Sequence, residues 1–211
     1  MNRIDIISKT LNEMFPHARA ELQFNNTFEL LIAVVLSAQT TDISVNRVTP
    51  QLFSKYPTPR DLKNADIKDI ESIIRSIGLY RNKAKNIIAL SAIIDDTYQG
   101  IIPRDRDELE KLPGVGRKTA NVVVSNAFGI PAFAVDTHVK RISIRLGLAE
   151  KGDSVLEIEK KLMKQFPKSE WLRLHHQMIF FGRYHCLAKQ PKCYQCPLYD
   201  LCESEDKQLL T

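Results

Sequence analysis

The first 185 residues contain no cysteine, and all four cysteines of the chain fall within the next seventeen: Cys186, Cys193, Cys196 and Cys202. A disulfide framework would spread cysteines through a short secreted chain, so this distribution argues against one and favours a metal site. No apolar run approaches the roughly 18 residues that a membrane span needs. The opening, MNRIDIISKTLNEMFPHARA, has no basic head leading into an apolar block. No signal peptide is therefore expected, and the cytoplasm is the expected compartment. No stretch alternates apolar and polar residues as a strand does, nothing is low-complexity, and no long linker interrupts the chain. What remains is an ordinary globular composition: 211 residues, 44% hydrophobic and 26% charged, with a net charge of +5. That length supports one large domain or two small ones with a sizeable core. The mild basicity suits a nucleic-acid partner without requiring one.

Nearly every segment reads as helix, so an all-α fold is expected. NTFELLIAVVLSAQ begins at Asn26 with Glu29 three residues on, the spacing of a capping box, and is apolar on most faces. It should be a central, buried helix. DISVNRVTPQLFSKY follows. NADIKDIESIIRSIGLY places Ile67, Ile70, Ile73, Ile74 and Ile77 on one face and is expected to stop at Gly78. RNKAKNIIALSAIIDDTYQG should end at Gly100, and RDRDELEKL opens with cap-like Asp105. DTHVKRISIRLGL, DSVLEIEKKLMKQF and SEWLRLHHQMIFFGRYH complete the set, the second with Ser154 and Glu157 at capping spacing. Short connections suit helices packed side by side.

Between two of these helices lies EKLPGVGRKTANVV. Pro113 stops the first helix, and Gly114 and Gly116 permit positive φ and leave no Cβ in the way. Backbone N–H groups at such a turn, together with a helix N-terminus, make a site for phosphate that reads no base. A plain helical hairpin explains the same residues.

Lys118 falls in the first turn of the second helix. A lysine nucleophile must shed a proton held with a pKa of about 10.4, and a helix N-terminus and burial both disfavour the ammonium. Such an amine can attack a sugar carbon and form a Schiff base. The helix from Lys118 to Phe128 spans roughly 15 Å, and GIPAFAV reaches at most about 23 Å when extended. The chain can therefore run back and bring Asp136 toward Lys118. On residues alone, Lys118 is equally a phosphate contact and Asp136 an N-cap for THVKRISIRL. Gln39 stands where an apolar helix turns polar, and Leu79 follows Gly78 in an expected loop; helix-end polarity and core packing are the plainer readings of the two. Arg81, Lys83 and Lys85 suit phosphate contacts.

The cysteine spacing is C-x6-C-x2-C-x5-C. Four thiolates in one short loop can enclose one zinc ion or one [4Fe–4S] cluster, and the spacing chemistry leaves both open.

LSAQTTD, SIGLYRNKAKNI, LPGVGRKTANVV, VDTHVKR and the cysteine cluster stand in that order along the chain. Together they resemble the helix-hairpin-helix DNA-repair glycosylases, and within them the endonuclease III family. The resemblance covers nearly the whole chain. It implies a two-part all-α architecture with a C-terminal iron–sulfur cluster loop. One part is a helical barrel of residues 20–130 with the helix-hairpin-helix; the other, residues 1–19 and 131–211, holds a [4Fe–4S] cluster on Cys186, Cys193, Cys196 and Cys202. Damaged double-stranded DNA is the implied partner, held in the cleft between the parts by a monomer. The implied chemistry is removal of oxidised or ring-damaged pyrimidines, followed by abasic-site cleavage. Lys118 matches the nucleophile at C1′ and Asp136 the carboxylate that assists base loss. Gln39 matches a gap-filling residue, Leu79 a wedge, and Gly114, Val115, Gly116 and Arg117 a DNA-gripping hairpin. His138 lies in a neighbourhood the family sets against the DNA backbone. Arg183, Lys189 and Lys192 make the cluster loop basic. Three rivals remain: a sibling enzyme acting on mispaired adenine, a non-catalytic DNA-binding module and an electron-transfer protein. The lysine argues against the first, and Lys118, Asp136 and Gln39 together against the second. The long cluster-free helical region argues against the third.

Overall fold

A computed structural model describes residues 2–207. Among them every regular element is helical, and no helix is long and apolar enough to cross a membrane. The chain divides into two compact units, one of Glu21–Ile130 and one of Met1–Ala20 with Pro131–Thr211.

In the Glu21–Ile130 unit, α2 (Thr27–Leu36) is the axis of the core. Every residue from Phe28 to Leu36 is buried, including Glu29. Asn26 caps it by accepting from the Glu29 N–H at 2.9 Å, and the Glu29 carboxylate turns back to the Asn25 N–H at 2.7 Å. The sequence-level cap signal thus also explains how an acid comes to be buried. Around α2 pack α3 (Asp42–Lys55), α6 (Tyr80–Tyr98) and α8 (Arg117–Phe128). Two short helices, α4 (Pro59–Lys63) and α5 (Ile67–Ile73), lie against α6, and α7 (Arg106–Glu110) against α8. Leu30, Leu31, Ile32, Ile74, Ile87 and Leu90 are fully buried here. Each contributes roughly 1.5–3 kcal/mol of apolar burial.

Two expected helix ends move. α5 stops at Ile73, not at Gly78. Ile74 and Ile77 are still buried, because the turn that follows also presents its side chains to the core. The apolar spacing therefore outlasts the helix. α6 is closed by Gln99 in the left-handed region at φ 54°, one residue before Gly100.

The other unit joins α1 (Arg3–Met14) to α9 (Thr137–Arg145), α10 (Val155–Gln165) and α11 (Trp171–Tyr184). α11 packs on both α9 and α1. Ile7 and Leu11 of α1 share a core with Val139, Ile142, Leu174 and Met178, so an N-terminal helix completes a C-terminal bundle. Arg3 adds polar ties, its guanidinium donating to the Leu146 carbonyl at 2.9 Å and the Leu201 carbonyl at 2.6 Å. α9 and α11 meet at Gly182. A Cβ there would stand 3.0 Å from the Cβ and Nδ1 of His138, so the glycine sets the approach of the two helices. α1, with Ile4, Ile7, Leu11 and Met14 at helical spacing behind an Asn2/Asp5 capping box, and the short α4 with its Thr58/Asp61 box are two helices beyond those expected.

Candidate functional site

The hairpin between α7 and α8 is built from two glycines with different work to do. Gly114 sits at φ 78°, and a Cβ would meet the Asn86 side-chain nitrogen at 2.9 Å. Both its backbone angle and its neighbour demand glycine. Gly116 differs from the sequence expectation. Its φ is −96°, an ordinary extended N-cap of α8, and a Cβ would meet nothing within 4 Å. Neither the backbone nor the interior needs glycine there, so the vacant side is open to an outside group. Having no side chain, Gly116 leaves the N-terminus of α8 without a side-chain cap. Val115 between them is 6% exposed, and its N–H donates to the Leu112 carbonyl at 3.0 Å. It anchors the turn and is not a spare backbone donor, as simple reading of the hairpin would suppose. Arg117 lies 3.6 Å from Glu110, which ties the two helices across the turn.

Lys118 is half-buried in the first turn of α8 and makes no ion pair among the described residues. Asp136 is the N-cap of α9, as its position predicts: Oδ1 accepts from the Val139 N–H at 2.8 Å, and Oδ2 has no partner among the described residues. His138 is half-buried on α9, with Nδ1 3.3 Å from Arg141 Nη2. Burial pulls its pKa below the usual histidine value against the upward pull of Asp136.

Gln39 and Leu79 occupy two turns of the same unit, and both hold left-handed backbone, at φ 54° and φ 59°. Gln39 is exposed after the end of α2, and Leu79 is 55% exposed as the N-cap of α6. An exposed leucine in the left-handed region is not core packing; the conformation costs on the order of 1–3 kcal/mol and collects at functional sites. The two turns are neighbours, since a Cβ on Gly78 would stand 3.8 Å from the Gln39 carbonyl. Arg81 and Lys85 are exposed, but Lys83 is not: it is 4% exposed and donates to Thr40 Oγ1 at 2.6 Å. Its expected place as a phosphate contact is therefore wrong. It shares a helical face with the buried Ile87, Leu90 and Ile94, and that position, against the pull of its charge, took it inside.

All four cysteines line one recess, with Arg145, His185 and Tyr199 in the same wall. Among the described residues no group of three ligands stands close enough to hold a single ion. Cys186 follows α11, Cys193 opens one short 3-10 turn, and Cys196 and Cys202 close that turn and the next. Arg145, buried on α9, donates to Cys186 Sγ at 3.3 Å and to the Leu187 carbonyl at 2.6 Å. Arg141, one helical turn earlier, reaches the Gly182 and Cys186 carbonyls at 2.8 and 3.2 Å. These two arginines hold the loop to the bundle, and their spacing on α9 was a signal the sequence offered. Burial pushes the Cys186 thiol up, and the Cys196 thiol up to about 11.

The sequence matches the HhH-GPD superfamily base excision DNA repair protein family over residues 32–168. It is 57% identical over 208 residues to the endonuclease III of Bacillus subtilis (strain 168), covering 99% of this chain and 95% of that one. Its fold is similar to that of a non-covalent endonuclease III–DNA complex, with a TM-score of 0.93, 60% identity and 96% of each chain covered. A trapped endonuclease III–DNA covalent intermediate matches with a TM-score of 0.92 at the same identity and coverage. On the family match, the near-full-length identity and the shared fold, the chain belongs to the HhH-GPD superfamily of base excision DNA repair proteins and, within it, to the endonuclease III family.

Proposed function

We propose that this enzyme excises oxidised or ring-damaged pyrimidines from duplex DNA and cleaves the resulting abasic site, with Lys118 as the nucleophile. The observation that carries this is a half-buried lysine, unpaired among the described residues, one residue inside α8 and directly behind an uncapped glycine hairpin, in a chain 60% identical to a protein trapped covalently on DNA. The Lys118 amine attacks C1′ of the damaged nucleotide, and the bond from C1′ to the base breaks, the base leaving with the bonding electron pair and taking up a proton. The sugar ring opens to a Schiff base on Lys118. That cation acidifies C2′, and loss of a C2′ proton expels the 3′-phosphate by β-elimination. Water then hydrolyses the imine and frees the lysine. Asp136 assists base loss through Oδ2, either by helping to activate the lysine or by stabilising positive charge on the sugar, while Oδ1 holds α9 in place. Acting on DNA, the enzyme works in the cytoplasm at the nucleoid.

Base extrusion leaves a gap in the stack. Gln39 and Leu79 fill it: both are exposed on strained turns, one able to pair with the orphan base and one apolar enough to wedge. Gly114 and Gly116 bring the hairpin backbone against a phosphate, Val115 anchors the turn, and Arg117 and His138 lie beside the DNA backbone. The two glycines should separate cleanly. Gly114→Ala should destabilise the protein by roughly 1–3 kcal/mol through the left-handed backbone and the Asn86 clash. Gly116→Ala should leave the melting temperature unchanged and weaken DNA binding about tenfold. Equal effects of the two on stability would remove the argument that Gly116 is kept for an outside partner.

The cysteines fit a [4Fe–4S] cluster as its ligands. Four thiols line one recess beside a buried arginine, which donates to Cys186 Sγ and favours its thiolate. When bound, the cluster would tie four points of the loop into one rigid body; the residues that turn over substrate lie elsewhere. Arg183 and the exposed Lys189, with Lys192 of the same loop, give that body a basic surface for phosphate. In Cys196→Ser, iron and sulfide content should fall to near zero, with the melting temperature down by more than about 4 °C, the shift that about 1 kcal/mol produces in a chain of this size. Full iron content in that variant would remove Cys196 from the ligand set.

A further inference from the structure

Lys83 lies one helical turn past Leu79, and its N–H bonds the Leu79 carbonyl at 3.0 Å. Its ammonium is nearly inaccessible, and burial lowers its pKa from the ordinary lysine value. No carboxylate pairs with it among the described residues; its one hydrogen-bond partner there is Thr40 Oγ1 at 2.6 Å. Burying an ammonium against a single hydroxyl is costly, and an apolar side chain of equal length would fill the space at less cost. The Thr40 hydroxyl in turn has the Ala38 carbonyl at a long 3.5 Å, so the contacts bracket Gln39 on both sides. The two turns are adjacent: a Cβ on Gly78 would rest in ordinary contact with Thr40 Oγ1, at 3.9 Å. An ammonium rooted in the Leu79 turn therefore grips the residue that follows Gln39.

We propose that Lys83 is a positioning residue: through Thr40 it locks the Gln39 and Leu79 turns into one rigid unit that enters the DNA together. This rests on the reading of those two residues as gap fillers. A rigid pair loses little conformational freedom on insertion, whereas two independent turns would each have to be ordered against DNA.

The test compares Lys83→Met, Thr40→Val and Thr40→Ser, with Gln39→Ala as the reference. Two readouts are taken: single-turnover excision of an oxidised pyrimidine from duplex DNA, and lyase activity on a single-stranded abasic oligonucleotide, which has no stack to fill. The quantity of interest is their ratio. Fluorescence of 2-aminopurine opposite the lesion reports the gap directly. Lys83→Met and Thr40→Val should lower the ratio about tenfold, the loss expected for one charge-assisted hydrogen bond. Thr40→Ser should restore it. The fall should appear in the single-turnover rate and the fluorescence signal more than in KM. If Gln39→Ala lowers the ratio and Thr40→Val does not, the lock is refuted while the gap-filling reading stands. An unchanged ratio in Gln39→Ala would refute the gap-filling reading itself. Should Lys83→Met fail to fold, the Thr40 pair decides alone.

Discussion

Lys118→Gln is expected to fold, bind abasic duplex DNA, and lose base excision and strand cleavage by at least about three orders of magnitude. The size of the loss follows from the role: without the nucleophile there is no covalent intermediate, and the remaining machinery can only bind and orient. Stability should move the other way. Lys118 occupies the first turn of α8, pairs with no carboxylate among the described residues, and puts a cation at the positive end of a helix. Gln is a good helix former, and removing that cation should leave the protein as stable as before or about 0.3–1 kcal/mol more so. Single-turnover assays beside thermal unfolding check both halves. A variant that lost activity only because it melted earlier would show that Lys118 was structural.

Asp136→Asn should cut base excision by about a hundredfold to ten-thousandfold with almost no change in stability. The substitution separates two functions held by one side chain. Asn caps a helix as well as Asp does, so the Oδ1 bond to the Val139 N–H survives in kind and α9 stays anchored. What is lost is the charge on the carboxylate, the property base loss requires. Asp136→Ala should add to the same kinetic loss about 1 kcal/mol of destabilisation, because the cap goes too. Excision rates and melting temperatures of the two variants, measured side by side, test this. Full excision by Asp136→Asn would mean that Asp136 is only a cap.

The features legible in the sequence were those decided locally. Asn26 with Glu29 and Ser154 with Glu157 are pairs three residues apart, and their hydrogen bonds form wherever the helix does. Asp136 as an N-cap belongs to the same class. The run after Asn26, apolar on most faces, was expected to be a central helix, and it is. Where residue type and position disagreed, the type misled. Lys83 lies between exposed Arg81 and Lys85, but only Lys83 shares the helical face of Ile87, Leu90 and Ile94, and its charge hid that it turns inward. Gly116 looked like a second left-handed glycine because it follows Gly114 by two. Its φ instead is that of an ordinary N-cap, and its purpose shows only when the space around its missing Cβ is seen to be empty. Gly78 was read as a helix stop, yet α5 had ended five residues earlier.

The central claim is a covalent bond between Lys118 and C1′ of the damaged nucleotide. Borohydride reduction of the wild-type protein on abasic duplex DNA, followed by proteolysis and mass spectrometry, tests it most directly. A stable protein–DNA adduct whose deoxyribose remnant maps to Lys118 is expected. No adduct, or one mapped to another lysine or to the N-terminus, would contradict it.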